Sequence, residues 1–176
     1  MAEVVAGATD GGREGRRLTL LRHGRAASPG DALDDHERPL TESGRRDVTA
    51  ILSLEAVRAD PPERVLCSDA RRTRETAACV LETLGLDAAC LESDGRLYLA
   101  SPGTLLAIVA EHDARPAAHL MIVGHNPGLE KLAAALDARS MREMPTAALC
   151  RFARRSVAGE PGRIAARLLF ETAPPR

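Results

Sequence analysis

Leu18-Thr19-Leu20-Leu21-Arg22-His23-Gly24 sets the reading of the chain. Four apolar or β-branched residues in succession, after a polar stretch and before a glycine, predict a short buried strand that stops at Gly24. Arg22 and His23 then stand at its C-terminal lip. In an open α/β sheet, crevices form at such lips because the chain turns outward there and leaves its last side chains pointing at solvent. A guanidinium grips anionic oxygens and an imidazole is a nucleophile, so the pair points to anion chemistry. Alone it is a solvated strand edge as readily as a site. The rest of the chain must supply the company.

With 176 residues the chain is long enough for one domain with a real core. It is 44% hydrophobic and 28% charged with a formal net charge of -1, which favours neither nucleic acid nor an anionic membrane as a partner. Aromatic residues make up 2%, so the core must be aliphatic and stacking platforms for bases are missing. Lys131 is the only lysine, and arginines are therefore read by position rather than by number. Cys67, Cys79, Cys90 and Cys150 form no C-x-x-C pair, which indicates neither a zinc site nor a disulfide framework. No apolar run resembles a signal peptide or a membrane span, and a cytoplasmic location is expected.

Met1 to Arg17 lacks periodicity and is expected to be a disordered tail, with one domain over 18–176. Arg25 to Arg38 reads as a loop. A helix is expected from Pro39-Leu40-Thr41-Glu42-Ser43-Gly44 to about Val57, capped by Thr41, with Val48, Ile51, Leu52 and Leu54 facing the core. Pro61-Pro62 ends that region, and Arg64 to Ser68 reads as a second buried strand. The next helix, Ala70 to Leu84, carries Arg71, Arg72 and Arg74 in its first turn, where the helix dipole disfavours cations. An anion bound there would resolve the conflict.

Ala88 to Leu91 reads as a short strand, and Ser101-Pro102 opens a helix to about Glu111. His119 to Gly124 is a third apolar strand, with His125 on its lip as His23 is on the first. Asn126 is expected to cap, and Pro127 to begin, a helix through Asp137. Ala147 to Phe152 and Arg163 to Phe170 are the remaining strands. The alternation predicts an α/β three-layer sandwich, a mainly parallel central sheet with helices on both faces.

Three strand-to-helix junctions thus present Arg22 and His23, then Arg72, then His125. Two arginines and two histidines around one point make a pocket for a dianion, and phosphoryl transfer needs little beyond an in-line nucleophile and fixed positive charge. The Leu-x-Arg-His-Gly start, the run Ser68-Asp69-Ala70-Arg71-Arg72-Thr73-Arg74-Glu75-Thr76-Ala77 and Val123-Gly124-His125-Asn126-Pro127 resemble the signature segments of the histidine phosphatase (phosphoglycerate-mutase-like) superfamily. The spacing Asp35-x-x-Arg38-Pro39-Leu40-Thr41-x-x-Gly44 is similar to its SixA-type phosphohistidine phosphatase branch. The resemblance spans about Leu18 to Ala148.

It implies that His23 is the nucleophile, passing through a phosphohistidine intermediate, and that Arg22, Arg72 and His125 complete the phosphate pocket. Arg38, Asp35, Asn126 and Thr146 are further candidates for substrate binding. Neighbouring guanidinium charge is expected to depress the His23 pKa, and His125 to stay protonated beside a bound dianion. No metal or other cofactor is expected, because the arginines supply the charge.

Many phosphomonoesterases of the superfamily carry a glutamate where this chain reads Leu97-Tyr98-Leu99-Ala100-Ser101. A general acid contributes about 10²–10⁴-fold, so its loss favours a phosphoramidate such as phosphohistidine on a protein over ordinary esters. Asp35 is the fallback acid, or else a loop carboxylate paired with Arg38. His36, His112 and His119 lack metal-ligand spacing and are read as surface or strand-edge residues. With no sequence left for a lid, a shallow crevice is expected, suited to a protruding phosphohistidine with inorganic phosphate as product. A small-molecule phosphomonoesterase or mutase, and a non-catalytic phospho-binding module, are the competing readings.

Overall fold

A computed structural model describes residues 4–6, 15–28, 34–113, 117–157 and 164–175. Among these residues seven strands form one sheet: β1 (Val4–Ala6), β2 (Arg16–Arg22), β3 (Arg64–Cys67), β4 (Leu91–Ser93), β5 (His119–Gly124), β6 (Leu149–Ser156) and β7 (Ile164–Thr172). Their order is β1-β7-β6-β2-β5-β3-β4. The pairs β2·β5, β3·β5, β3·β4 and β1·β7 are parallel, whereas β6 runs antiparallel to both β2 and β7. Helices α1 (Glu42–Leu52), α2 (Glu55–Arg58), α3 (Arg71–Leu84), α4 (Pro102–Asp113) and α5 (Gly128–Leu136) complete the fold.

Side chains alternate across the central strands because the pleat has a period of two. Leu18 and Leu20 of β2, with Leu120 and Ile122 of β5, pack against Leu105, Ile108, Leu129 and Leu132 of α4 and α5. Leu21, Met121 and Val123 face the other way, onto Val48, Ile51, Leu52, Ala77 and Val80 of α1 and α3. The result is the three-layer sandwich expected. Apart from Phe152, the central packing is aliphatic. All four cysteines are free thiols.

Several details differ from the expectation. The stretch read as a tail contains β1, and β2 begins at Arg16; residues 1–3 and 7–14 of that stretch lie outside the described residues. The helix after Thr41 stops at Leu52, where the Ser53 hydroxyl donates to the Thr49 carbonyl and Leu54 turns extended and 40% exposed. Ser hydroxyls that bond back to the preceding turn compete with the helix ladder. Leu54 therefore leaves the apolar face on which Val48, Ile51 and Leu52 are buried. The strand expected at Ala88 begins at Leu91, after a single 3-10 turn over Ala88–Cys90. Pro127, not Asn126, occupies the cap of α5, and the Asn126-Pro127 peptide is cis. Thr41 and Ser101 cap as expected, their hydroxyls accepting from the Gly44 and Thr104 amides.

Candidate active site

Register explains why the two histidine lips coincide. Arg22 of β2 pairs with Gly124 of β5, so His23 and His125 follow at the same level on adjacent parallel strands. Such strands lie roughly 4.8 Å apart, and the two ring centroids are separated by 5.1 Å. On the other side of β5, Cys67 pairs with Val123, which sets Ser68 beside this level and starts α3 there. Strand β6, being antiparallel to β2, delivers its N-terminal approach to the same lip: the Ala147 amide donates to the His23 carbonyl at 3.1 Å.

His23 Nδ1 lies 2.7 Å from the Gly24 carbonyl, which only accepts, so Nδ1 carries the proton and Nε2 keeps its lone pair. The side chain is buried, and its pKa is pushed down to about 4. Burial is the largest cause, with the charges of Arg72, Arg22 and Arg38 adding to it; the sequence argument named only the guanidiniums. His125 is pushed down to about 3 by burial first, then by His23 and Arg72. Arg72 Nη2 stands 3.4 Å from His125 Nδ1 and is a donor only, so Nδ1 accepts and Nε2–H donates to Ser68 Oγ at 3.0 Å. His125 is therefore a neutral ring protonated at Nε2.

Of the three arginines in the first turn of α3, only Arg72 is turned inward and buried. Arg71 pairs with Glu75 at 2.9 Å and Arg74 is exposed, so neither joins the cluster. Arg22 Nη1 donates to the Met144 carbonyl at 2.7 Å, while its buried Nε has no partner among the described residues.

Asp35 lies in a single 3-10 turn over Asp35–Glu37. Its Oδ2 accepts from the Tyr98 hydroxyl at 2.7 Å and from Arg72 Nη2 at 3.0 Å, and its Oδ1 accepts from Arg38 Nη1 at 2.7 Å. Arg72 Nη1 also donates to the Asp35 carbonyl. The Tyr98 and Arg38 hydrogen bonds, then the Arg72 charge, hold this carboxyl well below the usual range. Three donors on this carboxylate favour its ionised form, which argues against Asp35 as the fallback acid. Its pairing with Arg38 stands, and Arg38 is anchored further by the Ala27 carbonyl at 2.7 Å.

Asn126 turns sideways. Its Nδ2 donates to Glu130 at 3.1 Å and to the Met144 carbonyl at 3.0 Å, the same carbonyl that Arg22 uses. Thr146 is half-buried in the turn between Met144 and Ala147 and makes no hydrogen bond among the described residues.

The sequence reading missed Ser68, Tyr98 and His36. Tyr98 is the chain's single tyrosine, and its ring meets His125 at 5.3 Å and His36 at 5.0 Å. His36 is held by Asp69 at 3.0 Å and by Glu37 at 3.3 Å. A lone tyrosine in the segment searched for an acid was the available signal. His112 and His119 are buried, not superficial. His119 donates through Nδ1 to the Pro61 carbonyl and accepts at Nε2 from Thr19, at the far end of the sheet. Among the described residues no cluster of three His, Cys, Asp or Glu is arranged for a metal ion, and no helix is long and apolar enough to cross a membrane.

Residues 18–97 match the model of the histidine phosphatase superfamily, branch 1. An uncharacterised chloroplastic protein of Arabidopsis thaliana is 31% identical over 134 residues, covering 72% of this chain and 62% of that protein. An uncharacterised protein of Mycobacterium tuberculosis is 37% identical over 118 residues, covering 66% and 69% respectively. The chain thus spans 62% and 69% of the lengths of these two curated relatives. The Agrobacterium tumefaciens protein provisionally named phosphohistidine phosphatase SixA superposes with a TM-score of 0.76 at 28% identity, covering 91% of this chain and 99% of that one.

Proposed function

The chain belongs to the histidine phosphatase superfamily, and on that premise we propose that it is a metal-independent phosphatase that removes the phosphoryl group from phosphohistidine on a protein. The observation that carries this reading is the state of His23: its Nδ1 proton is committed to the Gly24 carbonyl, and its Nε2 lone pair is free in a cluster with Arg22, Arg72 and His125.

In the first half of the reaction Nε2 attacks phosphorus, the bond to the leaving group breaks, and the phosphoryl group rests on His23. Arg22 and Arg72 offset charge on the equatorial oxygens, as a metal ion does elsewhere. In the second half water attacks the phosphoryl group, the P–N bond breaks, and its electron pair returns to Nε2 as inorganic phosphate leaves.

Phosphohistidine is favoured over alkyl esters by the carboxyl groups of this lip. Asp35 and Asp69 are both held as carboxylates, by Tyr98 and His36 first. Neither has a proton for an alkoxide, and a missing general acid costs an ester about 10²–10⁴-fold. A protonated imidazole leaves without that help.

The test is a substrate panel with wild type and His23→Ala. Wild type should turn over a phosphohistidine protein faster than sugar phosphates or phosphoglycerates and yield acid-labile phosphate on the enzyme, and His23→Ala should do neither. Faster turnover of the small metabolites would replace the substrate, and failure to trap phosphate on wild type would remove the enzymatic reading.

A further inference from the structure

Asp35 stands at the edge of the His23, His125 and Arg72 cluster, bonded to Arg72, Arg38 and Tyr98. Through Oδ2 it touches Arg72, and through Tyr98 it adjoins the His125 ring. The carboxylate is not sealed in: its side chain is 45% exposed. Two carboxylate oxygens offer about four lone-pair sites. The three bonds from Tyr98, Arg72 and Arg38 occupy three of them, two on Oδ2 and one on Oδ1, and one acceptor site remains on the partly exposed Oδ1 side.

An aromatic group adjoins the carboxylate. Tyr98 lies between His36 and His125, nearly perpendicular to the latter at 84°. Arg72 Cζ sits 5.8 Å from the Tyr98 ring centre, so one guanidinium braces both the ring and the carboxylate. In a chain with one tyrosine, two phenylalanines and no tryptophan, that placement sets a flat ring beside an anionic acceptor.

A planar leaving group that carries an N–H one atom beyond the scissile nitrogen fits this pair of features, and an alcohol does not. We propose that Asp35 is the leaving-group residue: its open lone pair accepts the ring N–H on the nitrogen of phosphohistidine that does not carry phosphorus, with the ring laid against Tyr98. The inference rests on the reading of the chain as a phosphohistidine phosphatase, and it names the residue that makes such a substrate preferred.

The step balances without any further acid. The bound substrate ring is already protonated on its distal nitrogen. His23 Nε2 forms the new N–P bond, the old P–N bond breaks, and its electron pair stays on the departing ring, which leaves as neutral imidazole with its N–H still on Asp35. His23, now phosphorylated, keeps its Nδ1–H on the Gly24 carbonyl. Each ring thus has an oxygen acceptor for its distal N–H, the Gly24 carbonyl on the nucleophile and Asp35 on the leaving group. An ionised Asp35 suits this role for the same reason that it is unfit to be an acid.

The experiment compares 1-phosphorylimidazole with 1-phosphoryl-3-methylimidazolium on the full chain, each kcat/KM divided by the uncatalysed hydrolysis rate of the same compound. Both substrate rings are cationic when they react, but only the first has the N–H. Wild type should prefer it by about ten- to a hundredfold, the size of a hydrogen bond to a charged group. Asp35→Ala should bring the ratio close to one, and Tyr98→Phe, which removes one donor to Oδ2 but keeps the ring, should retain the preference.

A wild-type ratio near one overturns the proposal without recourse to any variant. So does an Asp35→Ala protein that loses both substrates equally, since Asp35 would then only position Arg72. The underlying reading fails separately, if neither compound leaves acid-labile phosphate on His23.

Discussion

His23 and His125 stand at one level on adjacent parallel strands, with ring centroids 5.1 Å apart and planes inclined at 61°. His125 has its pKa depressed to about 3, by burial first and partly by His23. A dianion between them reverses that balance, because a nearby negative charge favours the protonated imidazole. Binding of an anion and uptake of a proton are then linked, and the linkage is reciprocal. Sulfate, which stays dianionic near neutrality, should bind at pH 7 with proton uptake, seen by calorimetry as a binding enthalpy that varies with the ionisation enthalpy of the buffer. His125→Gln should abolish the dependence; a wild-type enthalpy that does not vary with buffer would sink the idea.

Ser68 is fully buried, and its hydroxyl receives the His125 Nε2–H at 3.0 Å and the Ala70 amide at 3.3 Å. Ser68→Ala leaves a buried ring N–H without its partner, at a cost of about 1–3 kcal/mol. We expect an unfolding free energy, measured in urea, that is lower by that amount, and a sulfate inhibition constant that rises because the His125 ring is no longer fixed. An unchanged inhibition constant would show that Ser68 has no part in orienting His125.

The strands that carry the site were legible because parallel strands covered on both faces read as unbroken apolar runs. Leu18 to Leu21 and Leu120 to Val123 are such runs. Their C-terminal neighbours, His23 and His125, came with them. What escaped was held in irregular segments, where no periodicity marks a side chain as inward. His36 sits in a 3-10 turn, Tyr98 just after another, and Ser68 between strand and helix. The direction of β6 was equally silent, since an antiparallel strand buried in the sheet has the same composition as a parallel one. Only the register with β2 shows that Met144 to Ala148 closes the site.

Gly24 and Gly44 mark a close crossing of the loop after β2 over the start of α1. A Cβ on Gly24 would stand 2.7 Å from the Gly44 carbonyl oxygen, and one on Gly44 would run into the Arg25 backbone. Gly44→Ala must therefore push backbone aside, and overpacking of this kind costs about 1–3 kcal/mol. The displaced segment begins two residues after His23. Thermal unfolding should show the loss of stability, and kcat/KM should fall as well. A protein as stable as wild type would mean that the two segments are not in contact.

Acid should unfold the protein before its carboxylates titrate. His23 and His119 have pKa values near 4 and His125 near 3 in the folded chain, against 6.5 when exposed. The unfolded chain therefore binds more protons across that interval, so stability is complete above about pH 6.5 and falls as pH drops through the window. For His23 alone the loss is on the order of 3 kcal/mol by pH 4. Asp35 and Asp137, depressed in the fold, give up their contribution only below about pH 4. His36, raised by Asp69 and Glu37, acts in the opposite sense, and its partly exposed ion pairs contribute little. Urea midpoints measured from pH 7 to pH 4.5 should fall steadily. His119 lies at the far end of the sheet, so His119→Gln should flatten the slope by one histidine's share while leaving the anion pocket intact. A midpoint independent of pH over that range would mean that the buried histidines are protonated as readily in the folded chain as in the unfolded one.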